Sequence, residues 1–490
     1  MPTSLANFFR LLLFLATANA ISCTKELETV QMAHSGVLHA IEWAQGLKLL
    51  HGSGSHDSSS IGVAISDCVK LYEDAEPRLA RLMSGESCSC TQDDAVTWLS
   101  AVLASHNSCL DGLKEKRWRF DDGVAENLTA ALRGALAVHR LGSHARGKHN
   151  GFRKRPKTDQ VEGTLASWNA ATSKADLVVA QDGSGNYKTI NEAIAALARM
   201  HTNRPERTVV YVKSGVYREK VEIGRDLKNV MFIGDGMDKT IITGNQNVQD
   251  GSSTLSSATF GISGDGFWAR DMTFENTAGP QKHQAVALMV ASDLSVFYRC
   301  SFKGYQDTLL VHSLRQFYRD CQIYGTIDFI FGDAAAVLQN CDIFVRRPMD
   351  HQSNTITAQG RDDPNENTGI SILNSRVAPA SDFRAVKGRF KNYLGRPWKK
   401  YSRTVFLKTD LDGLIDRKGW KEWWGEFALS TLYYAEYMNT GIGASTVNRV
   451  TWSGFHVLKD PLEASPFTAK NFIQGDSWIP STGVPFWAEI

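Results

Sequence analysis

The sequence predicts a two-part chain: an all-α bundle, then an all-β solenoid of parallel strands, a parallel β-helix. Three observations predict it. Residues 21 to 142 place apolar side chains three and four apart. From residue 176 that period gives way to short runs rich in Val, Ile, Phe and Thr, separated by Gly, Asn and Asp. Those runs recur at a spacing close to 20 residues.

The 490 residues exceed what one ordinary core holds, so several domains are expected. With 42% hydrophobic and 22% charged residues the composition is that of a globular protein. A net charge of +2 gives no reason to expect a nucleic-acid partner.

The first element, residues 1–20, reads as a secretory signal peptide. "NFFRLLLFLATANA" has one Arg, a short apolar run and a small-x-small cleavage site at Ala18-Asn19-Ala20. The run is too short to span a bilayer, and no later stretch reaches the roughly 18 apolar residues that a span needs. Export would place the eight Cys in an oxidising compartment. Asn127-Leu128-Thr129 is a glycosylation sequon.

Residues 21–142 form the helical region. "DCVKLYEDAEPRLARLM" and "DDAVTWLSAVLASHNSCLDGL" are amphipathic, and "NLTAALRGALAVHRLG" ends on a helix-stopping Gly142. Short connections between such helices indicate an antiparallel four-helix bundle. Cys68 and Cys109 lie on two of these helices and are disulfide candidates. Cys300 and Cys321, in the second half, are also kept as candidates.

Residues 143–175 are polar and basic, with the run "RGKHNGFRKRPK", and read as a linker that could serve as a processing site.

Residues 176–490 form the β region; "TINEAIAALARM" is its exceptional helical segment. The repeat aligns Cys300, Cys321, Cys341 and Ser375 as anchors. Arg299, Asp320, Asn340 and Asn374 precede them, and Phe302, Ile323, Ile343 and Val377 follow two residues later. "ARDMTFEN" fits the frame with Met272 and Phe274. One inward apolar position per pass marks a solenoid, and units without helices make it a β-helix.

"GYQDTLLVH" and "GTIDFIFGD" each set one Asp among apolar residues, where an unpaired carboxylate is costly. Asp307 and Asp328 are 21 apart, as are Cys300 and Cys321, so the two acids occupy equivalent places on successive coils. Aligning Gln284 with Gln306 brings Gln284, Gln306, Asp307 and Asp328 into one patch. Close carboxylates separate their pKa values, giving one proton donor and one ionised nucleophile or base. The two amides can stabilise an oxyanion without carrying charge. The same pattern also suits a structural polar ladder. In "YLGRPWKKYSRT", Arg396 can hold a carboxylate bidentately, and Trp398 can stack on a sugar ring.

At these residues the chain resembles plant pectin methylesterases. The matching segments are "SGVYREKVEI", "HQAVAL", "GYQDTL", "GTIDFIFG" and "LGRPW". The helical half is similar to the inhibitor-like pro-region of that family. The resemblance implies a right-handed parallel β-helix and hydrolysis of the methyl ester of galacturonate in pectin. It makes Asp328 the nucleophile, Asp307 the acid and base, Gln284 and Gln306 the oxyanion donors, and Arg396 the group that orients Asp328. Trp398, Phe331, Thr254, Gln284 and Arg396 would bind substrate, with Trp420 and Trp423 as further subsite candidates. No metal or organic cofactor is implied. The implied partners are pectin and an inhibitor-domain contact within or between chains. A secreted monomer of the plant cell wall is expected, with no nucleic acid and no membrane span.

The chain departs from the family pattern at four positions. Leu310 stands where Tyr is usual, Leu255 where Phe is usual, Asp333 where Asn is usual, and Ser375 where a Cys often pairs with Cys341. A β-helix with paired acids also suits a pectin depolymerase, but Asn-Thr-Asp and Gly-His-Gly motifs are absent. So is the Gly-x-Ser-x-Gly elbow of serine esterases. A non-catalytic pectin-binding module is the remaining alternative.

Overall fold

The computed structural model describes residues 3–51, 56–84, 90–118, 123–145, 165–200 and 204–490, with side chains described for 24–50, 61–84, 90–118, 123–141, 165–200 and 204–490. The chain divides into two compact units, Met1–Lys154 and Arg155–Ile490. The expected cleavage site at residues 18–20 and the basic run 146–157 fall outside the described side chains.

The first unit is a four-helix bundle: α1 (Thr3–His51), α2 (His56–Met83), α3 (Gln92–Glu115) and α4 (Gly123–Ala145). Consecutive helices pack on one another, and α1 closes the ring against α4. Thr91 starts α3 with a capping box, its hydroxyl accepting from Asp94 N while the Asp94 carboxylate accepts from Thr91 N. Cys68 and Cys109 are joined by a disulfide that staples α2 to α3. Asn127 is exposed on α4.

The second unit is a wall of parallel strands in three sheets of eleven, seven and eight strands among the described residues. Each coil visits the three sheets in turn, and equivalent strands pair in parallel. Phe274, Phe302, Ile323, Ile343, Val377 and Leu411 stand on successive rungs of one ladder. All six are buried in one core. The rings of Phe274 and Phe302 stack with centroids 5.8 Å apart, and those of Phe297 and Tyr318 at 5.0 Å. The residue before each anchor turns the corner between two sheets. Asp271, Arg299, Asp320, Asn340 and Asn374 all have φ between +48° and +58°. The left-handed region favours Asn and Asp among residues with a side chain, which accounts for the composition of that position.

A helix at Ile190–Arg199 (α5), capped by Thr189 and Glu192, precedes the regular coils. Its apolar stripe, Ile190, Ala193 and Leu197, packs into the core.

Two expectations change. Cys300 and Cys321 are not disulfide-bonded; with Cys341 they are buried free thiols on successive coils. Their Sγ atoms instead lie near backbone carbonyls, Cys300 near Tyr298 O and Cys321 near Arg319 O. Cys321 Sγ also lies 3.4 Å from Phe297 O on the preceding coil. The linker is also shorter than expected. α4 continues to Ala145, and Leu165 and Trp168 are buried on the β-helix. Arg270 donates to the carbonyls of Leu165, Ala166 and Trp168, which fixes this strap to the wall.

Candidate active site

The site lies on the seven-stranded sheet, whose strands include Leu288–Val290, Leu309–Val311, Ile327–Gly332, Asn354–Gln359 and Asn392–Gly395. Leu309 pairs with Ile330 and Leu310 with Phe331. Two residues upstream, Asp307 and Asp328 therefore stand on adjacent coils, and Asp307 N donates to Ile327 O at 3.0 Å. Both take positive φ, +64° and +51°, and both are buried. Left-handed backbone at a non-Gly residue costs on the order of 1 kcal/mol and gathers at functional sites.

Gln284 joins them through a bulge. Ala287 and Leu288 both donate to Thr308 O, at 2.9 and 3.3 Å. The extra residue changes the offset between coils, so Ala285 N donates to Gln306 O as Asp307 N donates to Ile327 O. Gln284 thereby aligns with Gln306, as the sequence reading required. Among the described residues no protein group hydrogen-bonds either side-chain amide, which leaves both NH2 groups uncommitted.

Arg396 follows the strand Asn392–Gly395. Its Nε donates to Asp328 Oδ1 at 2.9 Å, and an Nη donates to Oδ2 at 2.5 Å. Thr355, one coil beyond Asp328, donates its hydroxyl to Oδ1 at 2.6 Å and accepts from Asp328 N at 3.0 Å. Burial opposes the Arg396 charge. The field and hydrogen bonds of Asp328, with a further contribution from Asp307, outweigh it and raise the guanidinium above its ordinary pKa.

Beside the acids lies an apolar floor of Ala258, Val286, Met289, Leu310, Phe331 and Ala358, against which Leu255, Trp398 and Trp423 pack. The rings of Phe331 and Trp398 are 6.1 Å apart. Leu310 and Leu255 thus lie at the cleft, where they supply apolar area without an aromatic face. Thr254 is partly buried in the turn that carries Leu255, and its carbonyl accepts from Ser257 Oγ. Trp423 is half-buried, and the Arg396 guanidinium sits 4.2 Å from its ring centroid.

Trp420 departs from expectation. It is fully buried inside the coil, stacked on Tyr434 at 4.2 Å, and its Nε1 donates to Glu436. An inward-facing ring cannot reach a sugar. Thr355 is the site residue that the sequence reading missed. A loop before Asn354 lengthens this coil, so Thr355 follows Asp328 by 27 residues and breaks the 21-residue spacing. Ser375 stands one coil after Cys341, and its Oγ accepts from Cys341 N at 3.1 Å.

Asp333 is buried at the far end of the strand that carries Asp328. Gln359 and Thr368 donate to its Oδ1 at 3.0 and 2.5 Å. Its Oδ2 and Glu366 Oε1 are both buried with no hydrogen-bond partner of their own. Burial pushes Asp333 up to about 6, and burial together with the Asp333 charge raises Glu366 well above the carboxylate range.

The chain is similar to known proteins. Residues 176–476 match the family model "Pectinesterase", and residues 16–143 match "Plant invertase/pectin methylesterase inhibitor". A probable pectinesterase/pectinesterase inhibitor of Arabidopsis thaliana is 56% identical, over 99% of this chain and 98% of its own length. A pectinesterase of Citrus sinensis is 52% identical, over 86% of this chain and 81% of its own. Among solved structures, the pectin methylesterase from carrot superposes with a TM-score of 0.63 at 54% identity, covering 66% of this chain and all of that one. A pectin methylesterase in complex with a hexasaccharide gives 0.51 at 30% identity, covering 61% and 97%. With a family model over more than half its length and a full-length relative at this identity, the chain belongs to the pectinesterase family.

Proposed function

We propose that the protein demethylates pectin, converting methyl-esterified polygalacturonate and water to pectate and methanol, with Asp328 as nucleophile and Asp307 as acid and base. The carrying observation is the register that sets these two acids on adjacent coils while Arg396 grips one of them. The two-nitrogen clamp and the Thr355 hydroxyl hold and aim the Asp328 carboxylate. Its carboxylate adds to the ester carbonyl carbon. The oxyanion that forms takes hydrogen bonds from the amides of Gln284 and Gln306. Asp307 gives its proton to the departing methoxide, which leaves as methanol and yields an anhydride between Asp328 and the galacturonate. Asp307, now ionised, takes a proton from water. The hydroxide opens the anhydride, releasing the free acid and restoring both carboxyls.

Phe331, Trp398 and Trp423 would present aromatic faces to the sugar rings, with Thr254 and Leu255 at the margin. In this reading the protein works as a secreted monomer in the plant cell wall, with the inhibitor-like bundle able to contact a catalytic domain. Among the described residues no helix is long and apolar enough to cross a membrane.

Methanol and new reducing ends are measured together on methylated pectin. Methanol without reducing ends is the expected result. Reducing ends without methanol would identify a depolymerase and overturn the reading.

A further inference from the structure

Lys421 occupies a place beside the acids that the chemistry above does not use. The register of the seven-stranded sheet continues past its last regular strand. Phe331 pairs with Ala358, Thr357 with Gly395, and Gly395 in turn with Trp420. Trp420 fills the interior, so alternation turns the next residue outward. Arg396 and Lys421 are therefore neighbours on consecutive coils at the rim of the cleft. Lys421 N donates to Gly395 O at 3.0 Å, which fixes this rung.

The ammonium is half-buried. Its Nζ donates to Ser353 Oγ at 2.6 Å, a neutral partner. Among the described residues no carboxylate lies within ion-pair distance of it, whereas Arg396 beside it is committed to Asp328. Burial, and then the Arg396 charge, lower the Lys421 pKa. Two cations on adjacent rungs, of which only Arg396 is ion-paired, form an arrangement that a further anion would stabilise. A pectin chain supplies that anion wherever a galacturonate has already lost its methyl group.

We propose that Lys421 is a specificity-determining residue that binds the free carboxylate of a galacturonate neighbouring the ester under attack, with Ser353 holding the ammonium in place. The proposal rests on the pectin-demethylating function given above. It makes the protein favour partly de-esterified pectin over fully esterified chains of the same length.

The test compares kcat/KM for methanol release on highly esterified and partly de-esterified pectin, for the full chain and for Lys421→Met and Lys421→Arg. Lys421→Met should lower the preference for the partly de-esterified substrate by roughly five-fold, the worth of one half-exposed ion pair. Lys421→Arg should restore most of it. Added salt should erode the preference of the unmodified protein and leave that of Lys421→Met nearly unchanged. An unchanged preference in Lys421→Met, including an equal loss on both substrates, would overturn the assignment and leave Lys421 a packing residue. If the unmodified protein releases no methanol from either pectin, the functional reading falls first and this inference falls with it.

Discussion

Arg396 and Asp328 meet through two parallel contacts, Nε to Oδ1 at 2.9 Å and Nη to Oδ2 at 2.5 Å, across 68 residues of sequence. The planar fork fixes the plane of the carboxylate. A Lys at 396 supplies the charge but not the fork. Arg396→Lys should therefore lower kcat by roughly 10- to 100-fold, the loss of one charge-assisted hydrogen bond. Steady-state methanol release checks this. An unchanged kcat would mean that the orientation of Asp328 does not matter.

Asp333 and Glu366 are buried carboxyls that the fold holds above their ordinary pKa, and the consequence for stability has a definite sign. In the unfolded chain both carboxyls ionise near pH 4. In the folded protein Asp333 does so at about 6, and Glu366 well above its ordinary value. The folded state thus holds more protons in this window. The stability contribution is complete below about pH 4 and is lost as pH rises through about 6 and beyond. Asp333→Asn keeps an acceptor for Gln359 and Thr368 and adds an N–H donor for Glu366. Thermal unfolding of the variant between about pH 5 and 8 should be less pH-dependent than that of the parent. An identical slope would show that burial does not raise these carboxyls as described.

Gly360 lies against Trp398. A Cβ built on Gly360 would come 2.9 Å from the Trp398 ring, with Gly332 O closing the other side at 3.4 Å. Gly360→Ala should push the ring from its place and raise KM for pectin several-fold, with a smaller change in kcat, as the loss of ground-state binding does. A KM within error of the parent would remove Trp398 from substrate contact.

The Cys68–Cys109 bridge closes a 41-residue separation in the bundle. On the chain-entropy account such a loop contributes about 4 kcal/mol. Cys68→Ser paired with Cys109→Ser should lower the melting temperature of the bundle markedly, read by calorimetry of the full chain. An unmoved transition would indicate that packing alone holds α2 to α3.

Much of this architecture was legible because a solenoid writes its geometry as spacing. The 21-residue offset that aligns Cys300 with Cys321 also aligns Asp307 with Asp328. The residues ahead of each anchor, Arg299, Asp320, Asn340 and Asn374, turned out to share one left-handed corner. Three features were not legible. In "GWKEWW" the sequence does not say which face each Trp takes. Only the pairing of Gly395 with Trp420 sends Trp420 inward and Lys421 outward. Thr355 was hidden because an inserted loop lengthens its coil. Asp333 and Glu366, 33 residues apart, meet through a loop with no period to betray them. The Cys300–Cys321 expectation failed for a related reason. Equal spacing places two thiols on one ladder, but each Sγ lies against backbone carbonyls rather than in a bond with the other.

The central claim is that Asp328 forms a covalent bond with the substrate. Methanol release by purified Asp328→Ala, with the fold confirmed by circular dichroism, tests it most directly. The account predicts a loss of more than about a thousand-fold in kcat with an unaltered spectrum. Turnover near that of the parent, from a folded Asp328→Ala protein, would contradict it.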